Sequence, residues 1–414
     1  MRKMFYGWWI VLATFIVLFV GLCSGFYTVS VFMEPIQKAF GWNRTQISLS
    51  FTIAALLVGL LSPVVGLAVA RFGVKKVQLF GALVVGSGMT LGSFVQALWQ
   101  FYGVYAFVAV GLASVSLVPS QTIISHWFEK RRGTAMGLIM TGTGLGGMVM
   151  VYIAGAVNDA YGVRWAYRVL GVMVLIIVVP TIVFIIRDRP EDLGLVPDGT
   201  ADPEPETPNS LKISKGLTVK EALRTLPFNL TCAMMTLFCI ILGGLTMHAI
   251  ALFRSYGIDR AGTLWSLTLG MSVLGRILFG FLSDKIAKKN LIAVSWIMHI
   301  LGFGSIMLIS SLSLFVWGFV VFYGLALGAF VTLLPVFIGE RFGVLHFSKL
   351  IGIVSSFQIL GLAVGSVLLG KIFDMTASYE NAVTLLLMIS ILALIITALI
   401  GRPKMEASTS PAAL

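Results

Sequence analysis

The sequence predicts an all-α integral membrane protein: twelve transmembrane helices arranged as two pseudo-symmetric six-helix halves. Three observations carry that prediction. Of 414 residues, 58% are hydrophobic and only 11% charged, with a mean hydropathy of +0.98, where soluble domains run about 45–50% apolar and about 25% charged. Twelve apolar runs recur along the chain, each close to the roughly 20 residues that cross a hydrocarbon core. The two halves also repeat one another in their glycines and acids at an offset of about 214 residues. So little charge cannot coat a water-soluble surface, which excludes a soluble enzyme. An intramembrane enzyme is weaker still, because no His/Asp/Glu or Ser/Lys cluster falls inside the runs, and neither a cofactor nor a metal is expected.

The first run follows Arg2 and Lys3 and continues past Tyr27 without a small-x-small cleavage site, so Met1–Gly25 reads as a first span rather than a signal peptide. Leu22 before Cys23 also spoils a lipoprotein-type site. Further runs lie near 47–70, 76–97, 99–126, 133–159, 164–187, 228–254, 260–284, 290–311, 312–340, 346–374 and 379–401. Lipid offers backbone groups no water, and runs this continuous do not alternate at period two; they are helices, not barrel strands. Asp188–Gly216 carries seven of the chain's 17 acids and several prolines, so it reads as a linker with no core of its own. The expected organisation is a six-helix bundle over 1–187, a cytoplasmic linker over 188–217, a second bundle over 218–401 and a tail over 402–414. The segment at 218–226, TVKEALRTL, has helical spacing and suits either a helix lying on the membrane surface or a solvated helix start.

Orientation follows from Lys and Arg. Twelve spans put both termini on one side, and 21 basic residues fall in loops on that side against six on the other, Lys38, Arg44, Arg164, Arg168, Arg254 and Arg260. The positive-inside rule therefore places both termini in the cytoplasm, with the chain in the inner (cytoplasmic) membrane. A formal net charge of +12 suits a nucleic-acid partner only when clustered on one face; here it is scattered through short loops, so the expected partners are the bilayer and a small solute. Cys23, Cys232 and Cys239 sit within apolar runs. The last two are seven residues apart on one helix, about 10 Å by helix rise, too far for a disulfide.

The internal repeat has two registers. Gly66, Arg71, Gly73, Lys75 and Lys76 align with Gly280-Phe-Leu-Ser-Asp284-Lys285-Ile-Ala-Lys288-Lys289, and Gly137, Gly146, Gly155 and Asp159 align with Gly352, Gly361, Gly370 and Asp374. Helix five thus corresponds to helix eleven, as duplicated six-helix halves require. The loop after helix two resembles the Gly-x-x-x-Asp-Arg-x-Gly-Arg/Lys-Arg/Lys pattern of major facilitator superfamily transporters, with Ala70 in place of the usual Asp while the second copy keeps Asp284. That resemblance implies a cytoplasmic latch involving Arg71, Lys75, Asp284 and Lys285, leaning on Asp284. Tyr6-Gly-Trp-Trp9, Val31-Phe32, Phe40-Gly-Trp42 and Trp127-Phe-Glu-Lys-Arg-Arg-Gly-Thr-Ala-Met-Gly137 further resemble the monocarboxylate transporter family within that superfamily.

Helix five carries glycines at 133, 137, 142, 144, 146, 147 and 155, which suit close helix packing or hinging. Pro119 and Pro335 remove backbone bonds in helices four and ten. Arg276 is the one arginine deep in a span, about 12 Å by helix rise from Asp284, the nearest charge on its helix. A central arginine costs about 2.5–3.5 kcal/mol on insertion scales, so a polar group must face it. A substrate carboxylate matches its fork of donors; carbonyls of adjacent helices are the structural alternative. By resemblance Arg276 falls on the family's helix-eight Arg, while Ser272 stands where the family has Asp and Tyr27 where many members have Lys.

The resemblance also points Tyr27, Ser30, Ser120, Gln121, His248, Tyr323 and Gln358 toward a central cavity. Histidine is the side chain best suited by type to proton transfer, though a lone helix-borne histidine such as His248 also serves packing. His248, an end-of-helix acid such as Asp259, and the substrate carboxyl itself, accepted protonated and stripped near Arg276, are the candidate proton carriers, and Glu34 lies with Asp259 near the outer ends. The expected function is alternating-access, proton-coupled symport of small monocarboxylates such as lactate. Two alternatives remain at this point: proton-independent organic-anion exchange of oxalate/formate type, and a non-transporting receptor, for which no segment offers a folded signalling domain.

Overall fold

The computed structural model describes residues 5–42, 44–199, 216–258, 261–308, 314–376 and 378–401. Asp259 and the tail from Arg402 lie outside them, as do the side chains of Ser30, Glu34 and Asp374. The described residues form α1 (Gly7–Phe26), α2 (Arg44–Phe72), α3 (Val74–Gly92), α4 (Leu98–Trp127), α5 (Arg132–Tyr161) and α6 (Val163–Phe184). They continue as α7 (Leu226–Ser255), α8 (Ala261–Ser283), α9 (Lys288–Met307), α10 (Phe315–Phe342), α11 (Phe347–Thr376) and α12 (Glu380–Leu399).

Among the described residues, eleven of these helices contain a stretch long and apolar enough to cross a membrane. The twelfth, α3, begins Val-Lys-Lys-Val-Gln, which dilutes its apolarity. It still packs as a span, because Gly81 lies against Ser114 of α4 and Gly86 against Leu175 of α6, where an added Cβ would clash at 2.7 and 2.6 Å.

Several helices are interrupted where packing or local sequence demands. α1 is π-wound over Val17–Leu22 and breaks at Tyr27 and Thr28 before a further helix, Val29–Phe40. α4 breaks between Ser114 and Leu117, so Pro119 falls in the first turn of the resumed helix, where a missing N–H costs little. Pro335, by contrast, is carried inside the continuous α10. The α2–α3, α5–α6 and α10–α11 turns each pivot on a single glycine, Gly73, Gly162 and Gly343, at φ 85°, 87° and 84° with ψ near 165°, a region closed to side-chain-bearing residues. The short helix Val219–Arg224 opens with a capping box in which Thr218 and Glu221 serve each other's backbone N–H. Those bonds from Thr218 hold the Glu221 carboxyl below the usual carboxylate range.

Glycine contacts display the repeat directly. On α5, a Cβ at Gly142 or Gly146 would strike the backbone of α1 at Phe15 or Phe19, while one at Gly133 or Gly137 would strike α8 at Gly280 or Arg276. On α11, Gly361 and Gly365 lie in the same way against α7 at Thr236 and Ile240, and Gly352 against α2 at Ser62. Each of these two helices therefore packs one glycine face on the first helix of its own half and another on a helix of the opposite half. Close packing is what these glycines serve.

Candidate functional site

The sequence-selected residues gather unevenly. Arg276, on α8, is part-buried and reaches across to α5, where its Nη1 donates to the Met140 carbonyl at 2.6 Å and to Thr143 Oγ1 at 3.0 Å. Glycines permit that reach: a Cβ at Gly144 would come within 3.1 Å of Nη1, and one at Gly137 within 2.5 Å of the Arg276 carbonyl. Thr143 Oγ1 itself donates to the Met140 carbonyl at 2.9 Å, so its lone pairs face the guanidinium. On the other flank, Cys23 of α1 lies 3.4 Å from the Thr143 carbonyl. The guanidinium is thus tied to α5 by one nitrogen only. Nε is buried without a partner, and among the described residues Nη2 donates to nothing and no carboxylate pairs with Arg276.

Tyr27 belongs to the same neighbourhood. It sits at the break in α1, 41% exposed, with its ring 3.3 Å from where a Cβ on Gly147 would lie. Ser272, one turn before Arg276, is buried and returns its hydroxyl to Leu269 of its own helix at 2.7 Å, with its carbonyl packed against Gly328 of α10.

Other candidates lie elsewhere. His248 of α7 is held at both ring nitrogens, Nε2 to the Ser366 carbonyl and Nδ1 to the Tyr379 hydroxyl, each at 3.1 Å. A carbonyl only accepts, so Nε2 donates to Ser366. His248 therefore ties α7 to α11 and to the start of α12. Tyr323 of α10 is fully buried in an aromatic cluster, stacked on Phe319 at 4.8 Å and edge-on to His299 at 5.3 Å. Gln121 is buried on the resumed part of α4, beside Ser120, which accepts a bond from Gln78 of α3 at 3.3 Å. Gln358 is part-buried on α11.

The latch residues divide sharply. Asp284 crosses between halves, accepting Gly133 N–H at 2.7 Å, Thr134 N–H at 3.0 Å and the Thr134 hydroxyl. It thereby caps the first turn of α5, where a carboxylate meets both unpaired amides and the positive helix end. Arg71 lies over Phe72 and Lys285 over Phe281. Lys75 serves the linker side, with Nζ on the Val183 carbonyl and its amide on Asp188. The linker contributes a second acid to the approach to α5: Asp198 accepts Glu129 and Lys130 N–H at 2.8 and 2.5 Å. Lys288 pairs with Glu340 at 3.0 Å within the second half.

A family model described as Major Facilitator Superfamily matches residues 13–344. The chain belongs to that superfamily. Among curated relatives, it is 26% identical to the uncharacterized transporter ESBP6 of Saccharomyces cerevisiae over 70% of this chain, and it spans only 42% of that relative's length. It is 24% identical to monocarboxylate transporter 12 of Mus musculus, covering 91% of this chain and 82% of the relative. It is also 25% identical to the oxalate:formate antiporter of Oxalobacter formigenes, covering 65% and 61%. A major facilitator superfamily fold accounts for the two repeated halves, and its members carry small solutes across the bilayer; the chain is a multi-pass membrane transporter of that superfamily.

Nothing in the residue types singles out Thr143, Met140 or Thr134 as partners of Arg276 and Asp284. Two of these act through backbone groups, which no residue type announces, but Gly137 and Gly144 stand seven residues apart on one face of α5, and that spacing marks the face Arg276 meets.

Proposed function

We propose that the chain carries small organic anions by alternating access of its two halves, with the substrate carboxylate on the Nε/Nη2 edge of Arg276. One observation carries this reading: a buried Nε with no partner, beside an Nη1 already held by α5. In that arrangement Nε–H and Nη2–H point the same way, the edge that a carboxylate meets with two parallel charge-assisted bonds. The carbonyl contact to Met140 is a structural one, and it occupies one nitrogen of three. Relatives named as a monocarboxylate transporter and an oxalate:formate antiporter support a carboxylate over other anions.

Proton-coupled monocarboxylate symport, lactate included, is the first form of the proposal. A monoanion leaving water for the interior of an inside-negative membrane works against about 2.3 kcal/mol per charge per 100 mV, whereas anion plus proton is electrically silent. The 21-to-6 division of basic residues supports cytoplasmic termini and an inner-membrane setting. Proton-independent exchange of dicarboxylate for formate-like anions is the second form, favoured by the lack, among the described residues, of a carboxylate paired with Arg276 and by His248 being engaged at both nitrogens.

The test is counterflow in proteoliposomes across two- to six-carbon mono- and dicarboxylates, with and without an imposed pH gradient. Arg276→Ala is expected to abolish counterflow of every carboxylate accepted, and Arg276→Lys to lose most of it, in protein that stays monodisperse. Full transport by the alanine variant would remove the anchor. Uptake driven by the pH gradient selects symport; uptake requiring only internal anion selects exchange.

A further inference from the structure

Three of the six basic residues assigned to the side opposite the termini, Lys38, Arg164 and Arg168, line one cavity of about 750 Å³. It opens between the helix Val29–Phe40, the end of α5 and the start of α6. Aromatic and polar contacts hold its arginines in place. The Arg168 guanidinium lies over Trp165 at 5.1 Å and Phe94 at 5.0 Å while its Nε donates to Ser93 Oγ at 3.1 Å; Arg164 lies over Phe40 at 5.9 Å. Among the described residues one carboxylate, Asp159, also lines the cavity beside Arg164, Arg168 and Lys38, and these four together are positive. Beside it, Asn158 donates Nδ2 to Asp159 at 3.2 Å, which fixes the amide, and its Oδ1 is a buried acceptor without a partner.

The surroundings say which anion fits. Phe94, Trp99, Tyr161 and Trp165 are exposed at this same end of the helices, the pattern of an aromatic belt at the height of lipid headgroups. Basic pockets between helices at that level suit phosphate diesters. An acceptor left over at Asn158 asks in addition for a donor, which a headgroup hydroxyl supplies.

We propose that this cavity is a binding site for an anionic phospholipid headgroup. Arg164, Arg168 and Lys38 face the phosphate, and a headgroup hydroxyl donates to Asn158 Oδ1. The site is independent of Arg276 and of the transported solute. Occupied, it joins the helix Val29–Phe40 to α5 and α6 on the outer face of the first half.

Native mass spectrometry of the intact protein, equilibrated with phosphatidylglycerol and phosphatidylcholine, tests this. Phosphatidylglycerol is expected to be retained preferentially, and Arg164→Ala with Arg168→Ala to cut that retention about fivefold per arginine removed. The Arg164→Lys, Arg168→Lys double variant is expected to keep most of it, which separates loss of charge from loss of fold. Asn158→Leu is expected to erase the preference for phosphatidylglycerol over phosphatidylmethanol, which lacks the hydroxyl. Equal retention of both lipids by the wild type, or unchanged retention by the double alanine variant, would overturn the site. Displacement of the lipid by millimolar lactate or glycerol phosphate would reassign the cavity to a soluble anion and overturn the lipid assignment. An unchanged ratio in Asn158→Leu would overturn the hydroxyl contact.

Discussion

The two seams between the halves are copies of one another in shape and differ in chemistry. At both, glycines bring backbones together: Gly133 and Gly137 of α5 against α8, Gly352 of α11 against Ser62 of α2. At the α5–α8 seam an acid and an arginine bind across the join, Asp284 to the first turn of α5 and Arg276 to Met140 and Thr143. The α2–α11 seam has Ala70 at the position of Asp284 and Ser62 at that of Arg276 by the same offset. Ser62 returns its hydroxyl to Val58 of its own helix, and among the described residues a long polar contact crosses this seam from the Ser356 hydroxyl to the Gly59 carbonyl at 3.5 Å. Duplication preserved the surfaces that must fit, since a Cβ misplaced there clashes with backbone. Chemistry concentrated on one seam, where a single reach from α8 touches both halves.

If shape is shared, a bulky residue should disable either seam. Gly137→Val, whose Cβ meets the Arg276 carbonyl at 2.5 Å, is expected to lower transport more than tenfold, since overpacking typically costs about 1–3 kcal/mol and here it opposes one of the two states the cycle needs. Gly352→Val is expected to fall comparably. Loss at Gly137 with full activity at Gly352 would break the equivalence.

If chemistry is not shared, removing the seam's acid should have no counterpart on the other side. Asp284→Ala strips the first turn of α5 of a carboxylate that serves two amides and a hydroxyl, a loss of about 2 kcal/mol. Cysteine labelling at the terminal side of the seam should rise roughly thirtyfold at equilibrium if that is the difference between states. Unchanged labelling would mean that Asp284 caps α5 without biasing the cycle. Thr143→Val tests the smaller contact: one hydroxyl to a charged donor, about 1.5 kcal/mol, is expected to raise the half-saturating substrate concentration about tenfold at nearly constant maximal rate. A fall in rate alone would make Thr143 a packing residue.

Much of this was legible in the chain because lipid imposes a simple code. Apolar runs near 20 residues, loop charge and the glycine register gave twelve helices in two halves, and only α3, with Lys75, Lys76 and Gln78 in its first turns, departs from the apolar norm. Arg276 stood out because a lone cation in hydrocarbon is costly. The partners of Asp284 and Arg276 were harder to read because they are largely backbone groups of α5, which look alike at every position. His248 and Tyr323 illustrate another limit: hydropathy fixes that a residue is in a span, but which way it faces depends on helix rotation, and α7 and α10 turn these two toward their own half.

The finest test restores what the second seam lacks. Gly66 lies close enough to α11 that a Cβ would meet the Ser348 carbonyl at 2.3 Å, so position 70, one turn further along α2, stands near the opening turn of α11. By the repeat offset that turn is the counterpart of Gly133 and Thr134, the amides Asp284 caps. Ala70→Asp should therefore place a carboxylate at a positive helix end, worth about 0.5 kcal/mol at low salt, a twofold shift of a two-state equilibrium. The expected signs are a small rise in melting temperature and a modest slowing of turnover, both fading as ionic strength rises, because an exposed carboxylate acting on a helix end is screened within about 10 Å at 0.1 M salt. Ala70→Asn keeps the size and removes the charge, so it should show neither. A salt-independent effect shared by both variants would mean that the missing acid reflects altered packing rather than a missing charge, and the two seams would then differ in shape after all.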